Sequence, residues 1–599
     1  MASYKSPRLD MKLVFDTIVD IENLISVDQF AGIDRESIDM VLDEVGRFMA
    51  EVVAPTNHNG DQQGSVHNDD GSVTTPDGFR EAYAKWVESG LGAAPFEPDY
   101  GGGGFPWTAA IAIQEMLTSA NMSFSLCPLL TQGAIDAISH HGTDQQKAMY
   151  LPKMLTGEWT GTMNLTEPQA GSDVGALTSK AEPVGDGSYL ITGQKIFITF
   201  GEHDLADNII HLVLARTPNA PAGTRGISMF VVPKFHIGED GSLGDRNDVR
   251  CVSIEHKMGI HGSPTCVLSY GDTTGAVGWL VGEEGDGMRN MFTMMNNARL
   301  SVGLEGLALS ERAFQDSLQY AQERLQGTAV GAERGTSSPI IDHADVRRLL
   351  MTQRAWLDAM RCLIYANAAA VDRSRTLDGT ERERATETLD LLTPLSKGLC
   401  TDVGVEMTSL AIQVHGGMGY IEETGVSQHF RDARIAPIYE GTNGIQAADL
   451  VARKLPMRNG QVVFELLDSF DELATALRDD DRLTGYADSL DSAVSAARSC
   501  TEWLLKRGAA NINDLLSGSS PYLRLLGTVV CGGLLGRLAL EVANMDSNGD
   551  YPPEFLEAKI VSARFFGEQI LPTVVGLQSA VQAGADDLFA LTPDQLSWT

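Results

Sequence analysis

The spacing of hydrophobic residues changes twice along the chain. In residues 1–157 apolar positions recur at helical spacing, most clearly in IDMVLDEVGRFMAEVV at Ile38–Val53. Helical spacing stops near residue 158, returns after Gly285 and holds to about residue 455. Residues 456–599 continue with helical spacing, so helices are expected on both sides of a central region of another type.

The central region, residues 158–284, has the pattern of short strands. Ser188–Thr199 is rich in β-branched and aromatic residues around a Thr-Gly turn. Similar runs, separated by glycine-rich stretches, follow at Ile209–Ala215, Ile227–Pro233 and Cys266–Tyr270. Several short strands without long helices between them predict a small β barrel or sandwich.

The chain of 599 residues is too long for one hydrophobic core, so several domains are expected. The predicted fold class is α+β: an N-terminal helical domain, a central small β barrel, a C-terminal helical bundle and a helical C-terminal extension. The predicted domains span residues 1–157, 158–284, 285–455 and 456–599.

Charge limits the partners of this chain. The formal net charge is −35, which argues against nucleic acid because binding of phosphates needs a basic surface. The hydrophobic fraction of 43% is ordinary for a globular protein and argues against long disorder.

Cysteine use and apolar stretches bear on the compartment. The seven cysteines form no C-x-x-C pair and no cluster with histidine, which is typical of a reducing compartment and predicts no structural metal. Residues 1–10 lack the apolar stretch of a secretory signal. The most apolar stretch, Leu525–Gly536, is about a dozen residues, too short to span a bilayer. A cytoplasmic protein is expected. The apolar stretch contains three glycines that are expected to permit close helix packing: Gly532, Gly533 and Gly536.

One carboxylate has an unusual setting. In the segment IYEGT, Glu440 stands between Tyr439 and Gly441. A ring and apolar neighbours would remove water from Glu440 and raise its pKa towards the range useful for a general base. Gly441 would let a substrate or cofactor approach the backbone. A structural glutamate at a turn is the alternative interpretation.

A second segment, MNLTEPQAGSD at Met163–Asp173, lies where helices give way to strands. Its hydroxyl groups, small residues and turn formers suit a loop that exposes backbone N–H groups to a planar or anionic ligand. A plain connecting loop is the alternative.

These segments resemble known signatures. Leu165–Asp173 followed by GQKIFIT at Gly193–Thr199 resembles the paired flavin-binding signatures of the acyl-CoA dehydrogenases. The resemblance covers roughly residues 40–455, in family order and spacing. It continues through His141–Thr143 with Tyr150–Pro152, then Arg299, Gln413–Gly417 and Arg431 to Thr442.

The resemblance implies FAD as the cofactor. Met163, Leu165 and Thr166 would line the flavin ring, with Thr166 bonding its pyrimidine edge. Phe197 and Thr199 would back the ring, and many relatives have tryptophan in place of Phe197.

Further positions match the rest of the cofactor. The resemblance implies that Arg324, Gln413, Gly416 and Gly417 grip the FAD pyrophosphate and adenine across a subunit interface, which requires at least a homodimer. Thr442 matches a cofactor contact. An arginine can donate bidentate hydrogen bonds to pyrophosphate, although an arginine on a helix is usually solvated or salt-bridged.

Glu440 matches the catalytic base of the family. Some members carry the base instead just before the arginine matched by Arg299, and here that position is Ala298, which cannot accept a proton. Arg299, Tyr439 and Gly441 would contact the substrate, together with Ser172 at the flavin–CoA side of its loop.

The implied reaction is α,β-dehydrogenation of an acyl-CoA to the 2,3-enoyl-CoA, with electron-transferring flavoprotein as acceptor. The Tyr4–Pro7 start, Gly262–Cys266 and the C-terminal extension resemble the bacterial branch that oxidises 3-(methylthio)propionyl-CoA in dimethylsulfoniopropionate demethylation. General short- and medium-chain dehydrogenases, an acyl-CoA oxidase and a nucleic-acid-binding flavoprotein of the same fold are the alternatives, the last disfavoured by charge. The methionines of one helix would either limit the acyl chain or simply pack in the core: Met288, Met291, Met294 and Met295.

Overall fold

Helices precede and follow the strands of residues 159–281, in the order that the hydrophobic spacing predicts, and an additional short antiparallel pair, Val66–His67 with Val73–Thr74, lies among the N-terminal helices. The computed structural model describes residues 3–238, 240–545 and 549–597, apart from the side chain of Asn296. The expectation for residues 1–10 includes Met1 and Ala2, which lie outside the described residues.

The helices are α1 Arg8–Val14, α2 Ile21–Leu24, α3 Arg35–Phe48, α4 Pro55–Gln63, α5 Phe79–Ser89, α6 Trp107–Ala120, α7 Met122–His141, α8 Asp144–Thr156, α9 Gly287–Glu323, α10 Ala344–Thr376, α11 Gly379–His415, α12 Val426–Ala433, α13 Asn443–Asp449, α14 Gln461–Leu477, α15 Thr484–Gly508, α16 Ile512–Ser517, α17 Ser519–Asn544, α18 Pro553–Phe565 and α19 Gln578–Val581. The strands are β1 Val66–His67, β2 Val73–Thr74, β3 Trp159–Asn164, β4 Lys180–Pro183, β5 Ser188–Thr199, β6 Asn208–Ala215, β7 Ser228–Pro233, β8 Phe235–Ile237, β9 Leu243–Arg246, β10 Val249–Ile254, β11 Thr265–Tyr270 and β12 Ala276–Val281.

The α+β fold class is confirmed: helices, a curled sheet, then further helices and a helical extension. The chain forms two compact units, one of Met40–Ser301 and one of Met1–Asp39 with Val302–Thr599. These units do not follow the four predicted domains, whose boundaries stay predictions.

The first unit contains an eight-stranded sheet in the order β10-β11-β5-β12-β7-β6-β3, with β4 on β5. Only β3 and β6 run parallel in it, whereas the other neighbouring strands are antiparallel. Apolar side chains from both halves of β5 share one buried cluster with those of β6, β7 and β11, which is the interior of the curled sheet.

Strand β5 makes the curl possible. Its first half pairs with β4 and β12, and its second half pairs with β11. The predicted Thr-Gly turn inside this segment is wrong, because Thr192 and Gly193 lie within one continuous strand. Gly193 has φ 144°, and a Cβ there would lie 2.4 Å from the Ser179 hydroxyl, so glycine is required where the strand changes partners.

The second unit is helical, and its most apolar helix, α17, is longer than the sequence interpretation allowed. By length and composition this helix of 26 residues, within the described part of the chain, is long enough to cross a membrane, which corrects the estimate of about a dozen residues. Of its most apolar 18-residue window, 83% is buried inside the protein, as in a core helix.

The glycines of α17 permit close packing, as predicted. A Cβ on Gly533 would lie 2.3 Å from the ring of Phe470, and one on Gly536 would lie 2.9 Å from the ring of Tyr486. Because both rings are fully or almost fully buried, a side chain at either glycine would displace core atoms.

Buried charges connect the C-terminal extension to the rest of its unit. Lys559 of α18 bonds to Asp10 of α1, and its Nζ lies 2.6 Å from the Asp358 carboxylate of α10. Ser562 also donates to Asp358, at 2.6 Å. Burial alone would raise the pKa of Asp358, but Arg354 and Lys559 outweigh it and hold that pKa below its ordinary value.

We expect Lys559→Met to destabilise the protein, because it removes the buried cation that pairs with the buried Asp358 and the partly buried Asp10. Loss of one member of a buried ion pair costs about 3–5 kcal/mol, measured as the free energy of unfolding in urea by tryptophan fluorescence. The exposed Lys506 provides the control, since Lys506→Met should change that energy by less than about 0.5 kcal/mol. Equal stabilities of the two variants would contradict this role.

Candidate active site

The segment that carries Glu440 has a strained backbone. It lies between α12 and α13, and Glu440 and Gly441 follow one another with φ 55° and φ 84°. The left-handed region is uncommon for a residue with a Cβ, and it persists where surrounding contacts enforce it. Thr442 then begins α13, where its hydroxyl accepts a hydrogen bond of 3.3 Å from the Ile445 amide.

Side-chain amides of α13 enforce this conformation. Gln446 donates to the carbonyl oxygens of Glu440 and Gly441, at 3.4 and 3.2 Å. Asn443 donates to the Asp402 carboxylate at 2.7 Å and accepts from Lys397 Nζ at 2.8 Å. Since Gln446 and Lys397 are buried, these bonds lock the segment to α11 with little competition from water.

Tyr439 joins this segment to a carboxyl group that the sequence analysis missed. Its hydroxyl donates to Oε2 of Glu305, a side chain of α9 with 0% exposure. Burial raises the pKa of Glu305 to about 8, with a contribution from Glu440, although Tyr439 and Lys397 oppose the rise. The available signal was a single acidic residue in the apolar run SVGLEGLALS.

A raised pKa was predicted for Glu440 itself, and that stays a prediction. Glu440 is partly buried, and Tyr439 also has a pKa raised well above its ordinary value, by burial first and by Glu305 and Glu440 in addition. The sequence analysis predicted a raised pKa for the acid that follows Tyr439, whereas the structure shows a raised pKa for Glu305, whose carboxyl group is bonded to the Tyr439 hydroxyl.

The predicted flavin loop lies against β5 in the other unit. The Ile196 amide donates to the Thr166 carbonyl at 2.9 Å, which brings the loop beside the end of the strand. Phe197 has φ 60° and is 58% exposed. An exposed ring on a strained backbone beside backbone polar groups fits a flat aromatic ligand, so these residues suit the isoalloxazine of FAD.

A buried ion pair holds the loop in place. Lys195 of β5 is fully buried, and its Nζ lies 2.8 Å from the Glu167 carboxylate and 3.1 Å from the Leu165 carbonyl. Ser179 and Thr178 also donate to Glu167, at 2.6 and 2.9 Å. Burial opposes ionisation of Glu167, but Lys195 and these donors lower its pKa to about 2, so Glu167 is ionised at neutral pH.

The other loop residues differ in exposure. Met163 is partly buried at the end of β3, Leu165 is buried and Ser172 is exposed. Thr199 pairs with Thr265 of β11. Arg299 is 8% exposed, and its guanidinium lies 5.7 Å from the centre of the Phe292 ring.

The predicted pyrophosphate residues share an exposed setting in the helical unit. Arg324 follows the end of α9, and Gln413 lies in the last turn of α11. Gly416 ends that helix with φ 59°, and in the described structure no atom lies within 4 Å of a Cβ built on Gly416 or Gly417. Backbone and guanidinium donors are therefore accessible here, as a phosphate ligand requires.

A small cavity lies between α6, α7 and α9 in the first unit. Its volume is about 10 Å³, room for roughly one water molecule. Met294 lines it and packs closely against Gly133, where a Cβ would lie 2.8 Å from Met294 Cγ. The lining is mainly apolar: Trp107, Leu129, Leu130, Gly133, Met294 and Ala298, with Gln132, Asn297 and Ser301.

Comparison with known proteins identifies the class. The acyl-CoA dehydrogenase N-terminal, middle and C-terminal domains match residues 35–158, 162–273 and 285–455. An acetyl-CoA dehydrogenase C-terminal-like domain matches residues 467–592. The chain belongs to the acyl-CoA dehydrogenase family, and its reaction is FAD-dependent acyl-CoA dehydrogenation, as the resemblance implied.

Individual relatives match over nearly the whole chain. The 3-methylmercaptopropionyl-CoA dehydrogenase of Ruegeria pomeroyi is 43% identical over 98% of this chain and 99% of its own. A butyryl-CoA dehydrogenase of Syntrophomonas wolfei is 37% identical over 96% of each chain. The fold is shared with Caenorhabditis elegans ACDH-11 in complex with C11-CoA, with TM-score 0.77, 19% identity and coverage of 99% and 96%.

Lys195→Met should weaken the hold of the protein on FAD. Removal of the cation from a buried pair costs roughly 3–5 kcal/mol and frees the loop that contains Thr166. The measurement is the FAD content per chain, from the visible absorbance, after dialysis. Lys180→Met, at an exposed position of β4, is the matched control and should retain FAD like the wild type. Full FAD retention in Lys195→Met would refute the anchoring role.

Proposed function

We propose that this enzyme oxidises short-chain acyl-CoA thioesters, with 3-(methylthio)propionyl-CoA as its best substrate, and that Glu440 is the catalytic base. The strongest support is the similarity to the Ruegeria pomeroyi enzyme over the whole chain, including the extension.

In this mechanism Glu440 accepts the proton from the carbon next to the thioester carbonyl. FAD, when bound, supplies the acceptor for the hydride that leaves the following carbon, so the two electrons of that C–H bond are transferred and a C=C bond forms. The carboxylate suits the role because Gly441 leaves its backbone accessible and the strained segment is held rigidly. Ala298 offers no alternative base.

The remaining roles follow the family. Thr166 and Phe197 would hold the flavin ring, and Ser172, Arg299, Tyr439 and Gly441 would contact the acyl-CoA substrate. Electron-transferring flavoprotein is the proposed acceptor, whereas rapid stoichiometric peroxide formation would indicate an oxidase.

A homodimer is proposed because exposed residues lie beside the predicted pyrophosphate donors. Tyr420 is 87% exposed, and Met418 and Ile421 are also exposed apolar side chains next to Gly416–Gly417. Clustered apolar exposure of this kind is typical of a protein interface. A partner subunit seated there would let Arg324 and Gln413 complete its FAD site.

Glu440→Gln should abolish flavin reduction by acyl-CoA, because the amide keeps the shape but accepts no proton. Loss of a positioned base costs about 10²–10⁴-fold or more in rate, measured as anaerobic bleaching of the flavin in stopped flow. FAD content and CoA-ester binding should stay unchanged. Glu423→Gln, at an exposed position, is the control and should reduce at the wild-type rate. Wild-type reduction by Glu440→Gln would exclude Glu440 as the base.

Met294→Ala should shift chain-length preference. The wild type should prefer 3-(methylthio)propionyl-CoA only modestly over butyryl-CoA, since one methylene is worth about 1–3 kcal/mol. Removal of the Met294 side chain should raise kcat/KM for octanoyl-CoA relative to the methylthio substrate by roughly tenfold.

Met291→Ala is the matched control, because Met291 is buried on the same helix but does not line the cavity. The test compares kcat/KM for butyryl-, methylthiopropionyl-, octanoyl- and palmitoyl-CoA. A wild-type preference for palmitoyl-CoA, or the same shift in both variants, would overturn the proposed substrate limit.

A further inference from the structure

Glu305 is an acidic residue with an unusual environment. It lies on α9 between leucine and glycine, with 0% exposure. Its Oε2 accepts a hydrogen bond from the Tyr439 hydroxyl. Its Oε1 has no hydrogen-bond partner among the residues that the structure describes. An ionised carboxylate so buried and incompletely bonded would be strongly destabilising.

The charged groups around Glu305 come from two other elements. Glu440 belongs to the strained segment, adjacent to Tyr439, and acts on Glu305 as a like charge. Lys397 of α11 favours the ionised form, but its Nζ is bonded to Asn443 at 2.8 Å. Asp402, also of α11, faces the other side of that asparagine amide at 2.7 Å.

The balance of these groups keeps Glu305 neutral at physiological pH. Burial and Glu440 raise its pKa to about 8, and Tyr439 and Lys397 do not offset the rise. The neutral acid adds no second negative charge beside Glu440. Paired carboxyl groups with different proton affinities are a recurring way to keep one as a base and the other as an acid.

We propose that Glu305 is a positioning residue for the base: as a neutral carboxylic acid bonded to the Tyr439 hydroxyl, it fixes the Tyr439–Glu440 segment and keeps a second anion away from the Glu440 carboxylate. This inference rests on the proposed role of Glu440. Glu305 acts through Tyr439 and needs no contact with substrate.

The proposal has a consequence for pH dependence. Above pH 8 Glu305 loses its proton, and two carboxylates then lie on either side of Tyr439. The added negative charge opposes the negative charge that develops on the thioester when Glu440 removes the proton. The rate of flavin reduction should therefore fall through this pH in the wild type.

The test uses the FAD-loaded full-length enzyme and follows flavin reduction by 3-(methylthio)propionyl-CoA from about pH 6 to 10, with KM and kcat measured separately. Glu305→Gln mimics the neutral acid and cannot ionise. It should keep the neutral-pH rate within about threefold of wild type and lose the decline above pH 8. Retention of the decline in Glu305→Gln would overturn the proposal.

Glu305→Ala and Tyr439→Phe break the hydrogen bond from either side. Both should lower kcat by about 10- to 100-fold, because the base is held less well. Glu305→Ala removes no proposed substrate contact, so its KM should stay nearly unchanged. Wild-type kcat in both variants would also overturn the proposal. FAD content and thermal unfolding identify any variant that fails to fold, and the pH profile of Glu305→Gln then decides the result.

Glu440→Gln separates the two hypotheses. If this variant reduces flavin normally, the proposed base is wrong and the inference about Glu305 falls with it. If Glu440→Gln is inactive but Glu305→Gln behaves like wild type at every pH, only the positioning role is wrong.

Discussion

The left-handed backbone at Glu440 and Gly441 is the constraint on which the candidate active site depends. A glutamate in this conformation carries backbone strain. The Gln446 amide bonds two carbonyls of the segment, and the Asn443 amide connects its end to α11. The Tyr439–Glu305 bond holds the other end to α9. The chain therefore directs one carboxylate by securing the backbone on both sides of it.

The unit that contains the predicted flavin loop shows a similar arrangement. Phe197 has a left-handed backbone and remains exposed, while the neighbouring Lys195 is fully buried. The Lys195–Glu167 pair connects the strand to the preceding loop. Phe197, an exposed residue with an unfavourable backbone conformation, therefore lies two residues from a buried ion pair. Removal of one charge from such an anchor costs far more than removal of a surface charge.

Buried charge also explains how the C-terminal extension belongs to its unit. Lys559 reaches carboxylates of α1 and α10, and the glycines of α17 let aromatic rings of neighbouring helices approach closely. The extension is therefore integrated with the helices that follow residue 302, and its most apolar helix is mostly buried.

The sequence by itself determined the element types, because helical and alternating spacing depend on local geometry. Helix α3 covers most of the run predicted at Ile38–Val53, and β5 has the predicted bounds. The family was also readable, since loops that contact a cofactor keep recognisable residues. The residues around Glu440 were therefore enough to indicate a candidate base.

Only the tertiary structure determined the properties that depend on residues far away in the sequence. Burial and hydrogen bonding set a pKa, and Glu305 acquires both from residues about 90 to 140 positions away, so its local sequence showed only an acid in an apolar run. The need for glycine at position 193 follows from the position of Ser179, and the close packing of Met294 follows from the position of Gly133. The spacing of residues along the chain shows which face of a helix or strand each residue occupies. Proton affinity, backbone strain and cavity size depend on which helices and strands pack together in the folded protein.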